Sequence, residues 1–435
     1  MTSKQASKHL QAAKDLVSEL GRHLDVPVGV RLWDGSVTAL GAGEANGVTI
    51  SIAGPGVIAS LVRRPTLDRL IRLYAHGEIG FEGGTLIDLG ERLGQAGGRK
   101  RLQKIGKTRL LKSLWPFLFE PGARLDRSRD FAGDATGEGR AKAQNRDFIQ
   151  FHYDVGNEFY RLFLDGEMQY SCAYFTDWGN SLEKAQLDKL DMICRKLRLQ
   201  PGESLLDIGC GWGGLVCHAA EHYGVTAHGI TLSEAQLELA RQRVAAKGLS
   251  DRVTLEIRDY ADLTGRFDKI ASIGMYEHIG LANIPRYFAT VRGLLAENGL
   301  FLNHAISRRA KRNKRRFASR PEQRAMLKYI FPGGELDDIG HSVAAMEGAG
   351  FEVHDVEAWR QHYALTTRAW CERLTTRRDE AVALVGEETY RIWVAYLAGC
   401  SLAFMRGTLR IYQTLASKSA KGAAPLPPTR ADLYR

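Results

Sequence analysis

S-L-L-D-I-G-C-G-W-G-G, residues Ser204–Gly214, decides the fold of this chain. Leu205, Leu206 and Ile208 form an apolar run around Asp207, the pattern of a buried parallel strand. The run ends in Gly209, Gly211, Gly213 and Gly214, and a helical pattern over Leu215–Tyr223 follows at once. Glycines at a strand-to-helix turn reach φ values closed to other residues and let a ligand lie against bare backbone. The start of the next helix adds N–H groups that have no intrahelical partner. Four glycines in six residues exceed what a chain reversal needs, so the turn predicts a nucleotide-like ligand.

Gly209, Gly211 and Gly214 also satisfy G-x-G-x-x-G, the dinucleotide fingerprint. That reading requires an acidic residue about 20 positions on, at the end of the next strand. The next strand, Val225–Ile230, runs into Gly229, Ile230 and Thr231 with no carboxylate. Asp207, two residues before the first glycine, completes D-x-G-x-G-x-G instead, the turn of S-adenosylmethionine (AdoMet) methyltransferases. Asp207, Gly209, Cys210 and Gly211 are thus the first candidate cofactor residues.

Working outward, strands are predicted at 204–208, 225–230, 252–257, 267–273 and 299–306, separated by helices at 215–223, 233–247 and 283–296. This alternation specifies an α/β fold, a doubly wound, mostly parallel sheet of the class I AdoMet methyltransferase (Rossmann-like) kind. Long helices are expected after Asp337. Upstream, Leu10, Ala13, Val17, Leu20 and Leu24 recur at helical spacing, with Lys4, Lys8 and Lys14 off the stripe. Such a helix either docks on the protein body or lies on a membrane surface. Short strands at Val28–Trp33, Val37–Leu40 and Val48–Ile52 surround an Asp34-Gly35 turn, and a helix follows Pro65. The expected division is a smaller N-terminal α+β domain over 1–125, a linker over 126–145, a catalytic domain over 146–416 and a disordered Pro-containing tail over 417–435.

A chain of 435 residues has room for two domains. No apolar run approaches the roughly 18 residues that span a bilayer, and the N-terminus lacks a signal-peptide h-region, so a cytoplasmic protein is expected. The six cysteines form no C-x-x-C pair, and no metal site is expected. Lys and Arg exceed Asp and Glu by ten, which favours an anionic partner. The excess is concentrated in Arg308–Arg316, with seven basic residues in nine, and more loosely in Arg99–Lys112. The first run is either a solvated loop or a contact for anionic lipid. No nucleic-acid fold motif surrounds it, so nucleic acid is not the expected partner.

Several segments beyond the glycine turn resemble one family. They are F-H-Y-D-V-G-N-E-F-Y (151–160), Y-S-C-A-Y-F (170–175), L-D-I-G-C-G-W-G-G (206–214) and G-M-Y-E-H-I-G (274–280). K-Y-I-F-P-G-G (328–334) and A-G-C-S-L-A-F-M-R-G around Cys400 also fit. The set resembles the cyclopropane-fatty-acyl-phospholipid synthases and their mycolic-acid cyclopropane synthase relatives, over about 270 residues. The N-terminal region resembles the lipid-associated domain of the phospholipid-acting members, so the resemblance implies an unsaturated phospholipid substrate. It further implies peripheral contact with the inner face of a membrane, and leaves a homodimer open.

The resemblance implies AdoMet as cofactor and a bicarbonate ion as active-site base. It assigns Glu277, His304, Tyr363 and Cys172 to the surroundings of that ion, and Cys400 to the lining of the site. Gly209 and Gly211 are implied to contact the methionine part, Tyr170 and Ser171 to cover the cofactor, Thr231, Leu232 and Gln236 to replace the missing acid, and Tyr260 to flank the adenine. Taken alone, several of these residues read differently. His304 sits in the apolar run Leu300–Ile306, where a histidine is ordinarily a satisfied core residue. Cys172 and Cys400 read as inert thiols, and Ser233 with Gln236 reads as a helix cap. A sister activity, giving a methyl-branched or methylene fatty acid, shares every one of these features.

Overall fold

The computed structural model describes residues 3–41, 47–95, 107–125, 155–310, 320–418, 422 and 426–434. In chain order the first elements are α1 (Ser3–Leu24), β1 (Val28–Arg31), β2 (Val37–Ala39), β3 (Val48–Ile52), α2 (Pro55–Arg63), α3 (Leu67–Ala75), β4 (Ile79–Glu82), α4 (Leu86–Gln95) and α5 (Lys107–Leu118). Then come α6 (Asn157–Arg161), α7 (Leu182–Lys196), β5 (Ser204–Ile208), α8 (Gly214–Tyr223), β6 (Thr226–Thr231), α9 (Glu234–Ala246), β7 (Val253–Ile257), β8 (Phe267–Ile273), α10 (Ile284–Leu294) and β9 (Leu295–Arg308). The last are α11 (Pro321–Tyr329), α12 (Ile339–Gly348), β10 (Phe351–Ala358), α13 (Arg360–Thr376), α14 (Arg378–Met405) and β11 (Leu409–Lys418). They divide into two compact units.

The first unit holds residues 1–130 with 315–329 and 378–402. Its sheet runs β2-β1-β3-β4. The β1–β2 reversal is made by Gly35 at φ +83° and by the Ser36 N–H donating to Asp34 Oδ1 at 3.0 Å. Ala13, Val17 and Leu24 of α1 are buried in a core with Val26, Val28 and Val30, so this stripe docks the helix on its own domain. The later segments join through specific bonds. Lys328 and Tyr329 both donate to Asp68 Oδ1, at 2.8 and 2.7 Å, and Arg391 donates to the carbonyls of Tyr74 and Ile79.

The second unit carries a seven-stranded sheet of order β10-β11-β9-β8-β5-β6-β7. Strands β5 to β9 pair in parallel, and β11 is antiparallel to both its neighbours. Asp207 of β5 lies opposite Gly229 of β6 and Ala271 of β8. One core packs α7 and α8 against the sheet through Leu205, Ile193 and Val216, and another packs α10 against it through Leu206, Tyr287 and Phe288. From β5 the chain moves out through β6 and β7, then returns to β8 on the other side of β5. The carboxyl end of β5 is therefore the switch point where such sheets open a crevice.

The expected doubly wound sheet is present, and three expectations about its surroundings need correction. β10 and β11 stand among the helices expected after Asp337. Their composition hid them, since β11 buries Gln413, Thr414 and Ser417 in mid-sheet, where apolar residues are the usual signal. The tail expected to be disordered over 417–435 begins inside β11 and is anchored further on. Leu433 is buried, Arg198 pairs with Asp432 at 3.1 Å, and Arg430 pairs with Asp355. The catalytic region is not one continuous stretch over 146–416, because 378–402 packs into the first unit. The linker 126–145, residues 151–154 of the first family motif, most of Arg99–Lys112 and positions 311–316 of the basic run lie outside the described residues.

Candidate active site

The β5–α8 turn opens on a pocket at the switch point. Gly209 has φ +84°, and its N–H and that of Cys210 both donate to the Ile230 carbonyl at 2.9 Å, bending the chain away from β6. At Gly214 a Cβ would stand 2.9 Å from the Glu167 carbonyl, so only glycine lets α8 begin so close to the segment covering the pocket. Gly211 has φ +55° with nothing within 4 Å of where a Cβ would be. All ten residues expected to bind cofactor, Tyr170, Ser171, Asp207, Gly209, Cys210, Gly211, Thr231, Leu232, Gln236 and Tyr260, line this one pocket.

Two ionisable groups dominate its floor. Asp207 is buried, its Oδ1 has no hydrogen-bond partner in the protein, and burial pushes its carboxyl up to about 7 against the opposing charge of Lys189. Lys189, on the inward stripe of α7, is fully buried and brought down to about 8 by desolvation, with Asp165, Cys172 and Asp207 holding it up. Its ammonium donates to Gln169 Oε1 and, at 3.1 Å, to Ser171 Oγ. A buried carboxylate oxygen without a partner, beside bare glycine backbone, suits the polar end of an amino-acid ligand. Across the pocket the Thr231 hydroxyl donates to Gln236 Oε1 at 2.9 Å, while Ser233 caps α9 by accepting from the Gln236 N–H at 3.4 Å. This segment is both a helix cap and a pocket wall.

The expected catalytic residues do not line that pocket; four of them belong to the same unit. Glu277 follows β8 on a short 3-10 turn, two residues beyond the pocket residue Met275. Its Oε1 accepts from the Ile306 N–H of β9, its buried Oε2 has no partner, and burial pushes the carboxyl up to about 7. His304 is fully buried two residues earlier on the same strand. Gln413 Oε1 accepts from the Lys196 ammonium at 2.8 Å, so its amide N–H₂ faces His304 Nδ1 at 3.1 Å. Nδ1 therefore accepts, and the proton sits on Nε2, which has no partner. Burial, with the charges of Lys189 and Lys196, holds this imidazole neutral.

Trp359 ties the remaining two to His304. Its ring stands edge-on to the imidazole at 5.2 Å, its carbonyl lies 3.8 Å from Cys172 Sγ, and the same carbonyl accepts from the Tyr363 N–H at 3.1 Å. Cys172 is a neutral thiol, pushed well above the ordinary range by burial. Tyr363 packs against Phe404 and Trp370, and Trp370 reaches Tyr170 of the cofactor pocket at 5.2 Å. Cys400 falls on α14 in the first unit, where burial pushes its thiol up to about 12. A thiol so far from ionising is a poor nucleophile. Cys400→Ser is expected to cost less turnover than Glu277→Ala when the two are assayed side by side.

Lys189, Lys196, Gln413 and Trp359 escaped the sequence reading. Lys189 and Lys196 left a trace, as charged residues in phase with Gln186, Leu190 and Ile193 on the buried stripe of α7. Among the described residues no group of three or more metal-ligating side chains comes together, and no helix is long and apolar enough to cross a membrane. All six cysteines are buried and none forms a disulfide.

The profile of the mycolic acid cyclopropane synthetase family matches residues 140–414. A probable fatty acid methyltransferase of Pseudomonas putida is 42% identical over 420 residues, covering 95% of this chain and 97% of that protein. The cyclopropane-fatty-acyl-phospholipid synthase of Escherichia coli K12 is 39% identical over 62% of this chain and 67% of its own length. The crystal structure of mycolic acid cyclopropane synthase CmaA1 complexed with SAH and CTAB superposes with a TM-score of 0.60 at 34% identity, covering 63% of this chain and 98% of that one. With the switch-point pocket and the matched residues in place, the chain belongs to the mycolic acid cyclopropane synthetase family and is an AdoMet-dependent methyltransferase.

Proposed function

We propose that the enzyme adds a methylene unit to the cis double bond of an unsaturated acyl chain in membrane phospholipid and closes it into a cyclopropane ring. The observation that carries this reading is two buried polar atoms without partners, Glu277 Oε2 on the turn after β8 and His304 Nε2 on the neighbouring strand β9. They suit a small oxyanion rather than the alkene itself. When bound, AdoMet supplies an electrophilic sulfonium methyl, and bicarbonate a compact proton acceptor. Gly209, Gly211, Asp207 and Gln236 would hold the first; Glu277, His304, Cys172 and Tyr363 would hold the second.

The residues divide the work as follows. The alkene's π electrons would bond the methyl as its bond to the sulfonium sulfur breaks, releasing S-adenosylhomocysteine and leaving a cation on the neighbouring chain carbon. The aromatic faces of Tyr170, Trp370 and Tyr363 form an electron-rich, water-poor wall suited to that charge. His304, kept neutral with its proton on Nε2, donates toward the base without supplying a competing acid. Glu277, raised to about 7 by burial, can hold or release a proton near neutrality. Removal of a proton from the new methyl lets the freed C–H pair close the ring.

Incubating the enzyme with methyl-labelled AdoMet and unsaturated phospholipid vesicles tests this directly. Label should enter the intact phospholipid, and label confined to free fatty acid or water-soluble product would contradict the substrate assignment. A second reading is favoured by the Pseudomonas putida relative, which is named a fatty acid methyltransferase and matches across both domains. On that reading the same cation loses a different proton and yields a methyl-branched or methylene chain.

Phospholipid as substrate places the enzyme at a membrane surface, and we read it as cytoplasmic and peripheral. Arg308, the last residue of β9, is itself buried and pairs with Asp338 at 2.9 Å; the rest of the basic run, Arg309–Arg316, follows it in sequence. Anionic head groups attract each such side chain by about 1 kcal/mol within a Debye length. Reversing Arg312, Lys314 and Arg315 to Glu is expected to weaken co-sedimentation with anionic vesicles and to leave AdoMet affinity unchanged. Equal co-sedimentation at low salt would make the run a solvated loop only.

A further inference from the structure

The first unit exposes an apolar stripe that its own fold does not use. On α5, Phe117 is fully buried and Leu114 packs beside it in the core with α1, where the His9 ring lies 5.5 Å from Phe117 and bonds the Pro116 carbonyl at 3.1 Å. These contacts fix which side of the helix faces inward. The outer side carries Leu111, Trp115 and Leu118, exposed by 65%, 57% and 38%, followed by Phe119 at 79%. Leu111, Trp115 and Leu118, at i, i+4 and i+7, fall in one arc of about 60° on the helix, and Phe119 follows just past its end. Trp115 and Phe119 touch each other, with ring centroids 5.8 Å apart, and form one continuous apolar surface. Lys112, also exposed, borders it.

The flanking charge identifies what this surface meets. Between Glu91 and Glu120 the sequence holds eight basic residues (Arg92, Arg99, Lys100, Arg101, Lys104, Lys107, Arg109 and Lys112) and no acidic one. A second copy of the chain docking on this face would set Lys112, and a basic stretch of sequence leading into α5, against their own kind. An anionic lipid surface neutralises them and accepts the rings. Tryptophan and phenylalanine on an amphipathic helix bordered by lysine and arginine are the composition of a segment lying in the head-group layer. We infer that the Leu111–Leu118 face of α5, with Phe119 just past its end, is the element that inserts into the phospholipid surface, delivering the enzyme to its substrate. The inference rests on the phospholipid reading above, and adds an apolar anchor to the electrostatic attraction described there.

Trp115→Ser/Phe119→Ser in the full chain replaces exposed side chains, so folding should be kept. The double variant should bind vesicles of dioleoyl phosphatidylglycerol and phosphatidylethanolamine about tenfold or more weakly in co-sedimentation. Its turnover on those vesicles should fall in step. Turnover on the same lipids dispersed in detergent should match wild type, as should a Val37→Ser control that removes another exposed apolar side chain of this unit. Vesicle binding equal to wild type overturns the inference. So does a changed oligomeric state with vesicle binding intact, which would make a second copy the occupant. If wild type itself fails to turn over the detergent-dispersed lipids, the phospholipid reading falls and takes this inference with it.

Discussion

Glu277→Ala and His304→Ala should each slow ring formation on unsaturated phospholipid vesicles by about 10²–10⁴-fold, the range for loss of a positioned proton-transfer group. AdoMet affinity, measured by calorimetry, should change little, because neither side chain lines the cofactor pocket. The two substitutions remove a carboxyl tied to the Ile306 N–H and an imidazole whose proton is fixed on Nε2 by Gln413. His304 carries a further expectation. Its neutrality depends on burial, so His304→Lys would put a charge where the protein excludes one, and should destabilise the fold as well as stop turnover. Near-normal turnover in both alanine variants would remove these residues from the reaction.

Gly211→Val should abolish AdoMet binding while leaving the sheet intact. The residue has φ +55°, a left-handed conformation costing a side-chain-bearing residue about 1–2 kcal/mol, and more for a β-branched one. No protein atom lies within 4 Å of the new Cβ, so the side chain would not disrupt the core. It would instead project from a backbone segment that lines the cofactor pocket. The expected result is a calorimetric titration without measurable heat of binding and a circular dichroism spectrum like wild type. Tight AdoMet binding by the variant would place the cofactor elsewhere.

The parts of the site that could be read from sequence are those whose chemistry leaves a local mark. The β5–α8 turn is of this kind: glycine density, Asp207 and the missing acid after β6 are all properties of neighbouring residues. The second cluster is not. His304 in an apolar strand looks like any core histidine, and only the family resemblance separated it from one. Its partner Gln413 lies on β11, a strand hidden because several of its buried residues are polar and bonded across the sheet. Lys196 meets Gln413 across 217 residues of sequence, and Trp359 meets His304 from a different strand connection, so neither contact leaves a local mark. The packing of 378–402 into the first unit is likewise long-range. Arg391 bonds the carbonyls of Tyr74 and Ile79, about three hundred residues earlier, and no local pattern announces it.

The central claim is that a base takes a proton from the newly transferred methyl group. AdoMet carrying a fully deuterated methyl tests it, with mass spectrometry of acyl chains recovered from unsaturated phospholipid vesicles. Ring closure by this route predicts chains that have gained the transferred carbon but lost one of its deuteriums, and that resist mild hydrogenation because no double bond remains. Chains that keep every deuterium of the methyl group, or that still take up hydrogen, would contradict it and make the enzyme a fatty-acyl methyltransferase without ring closure.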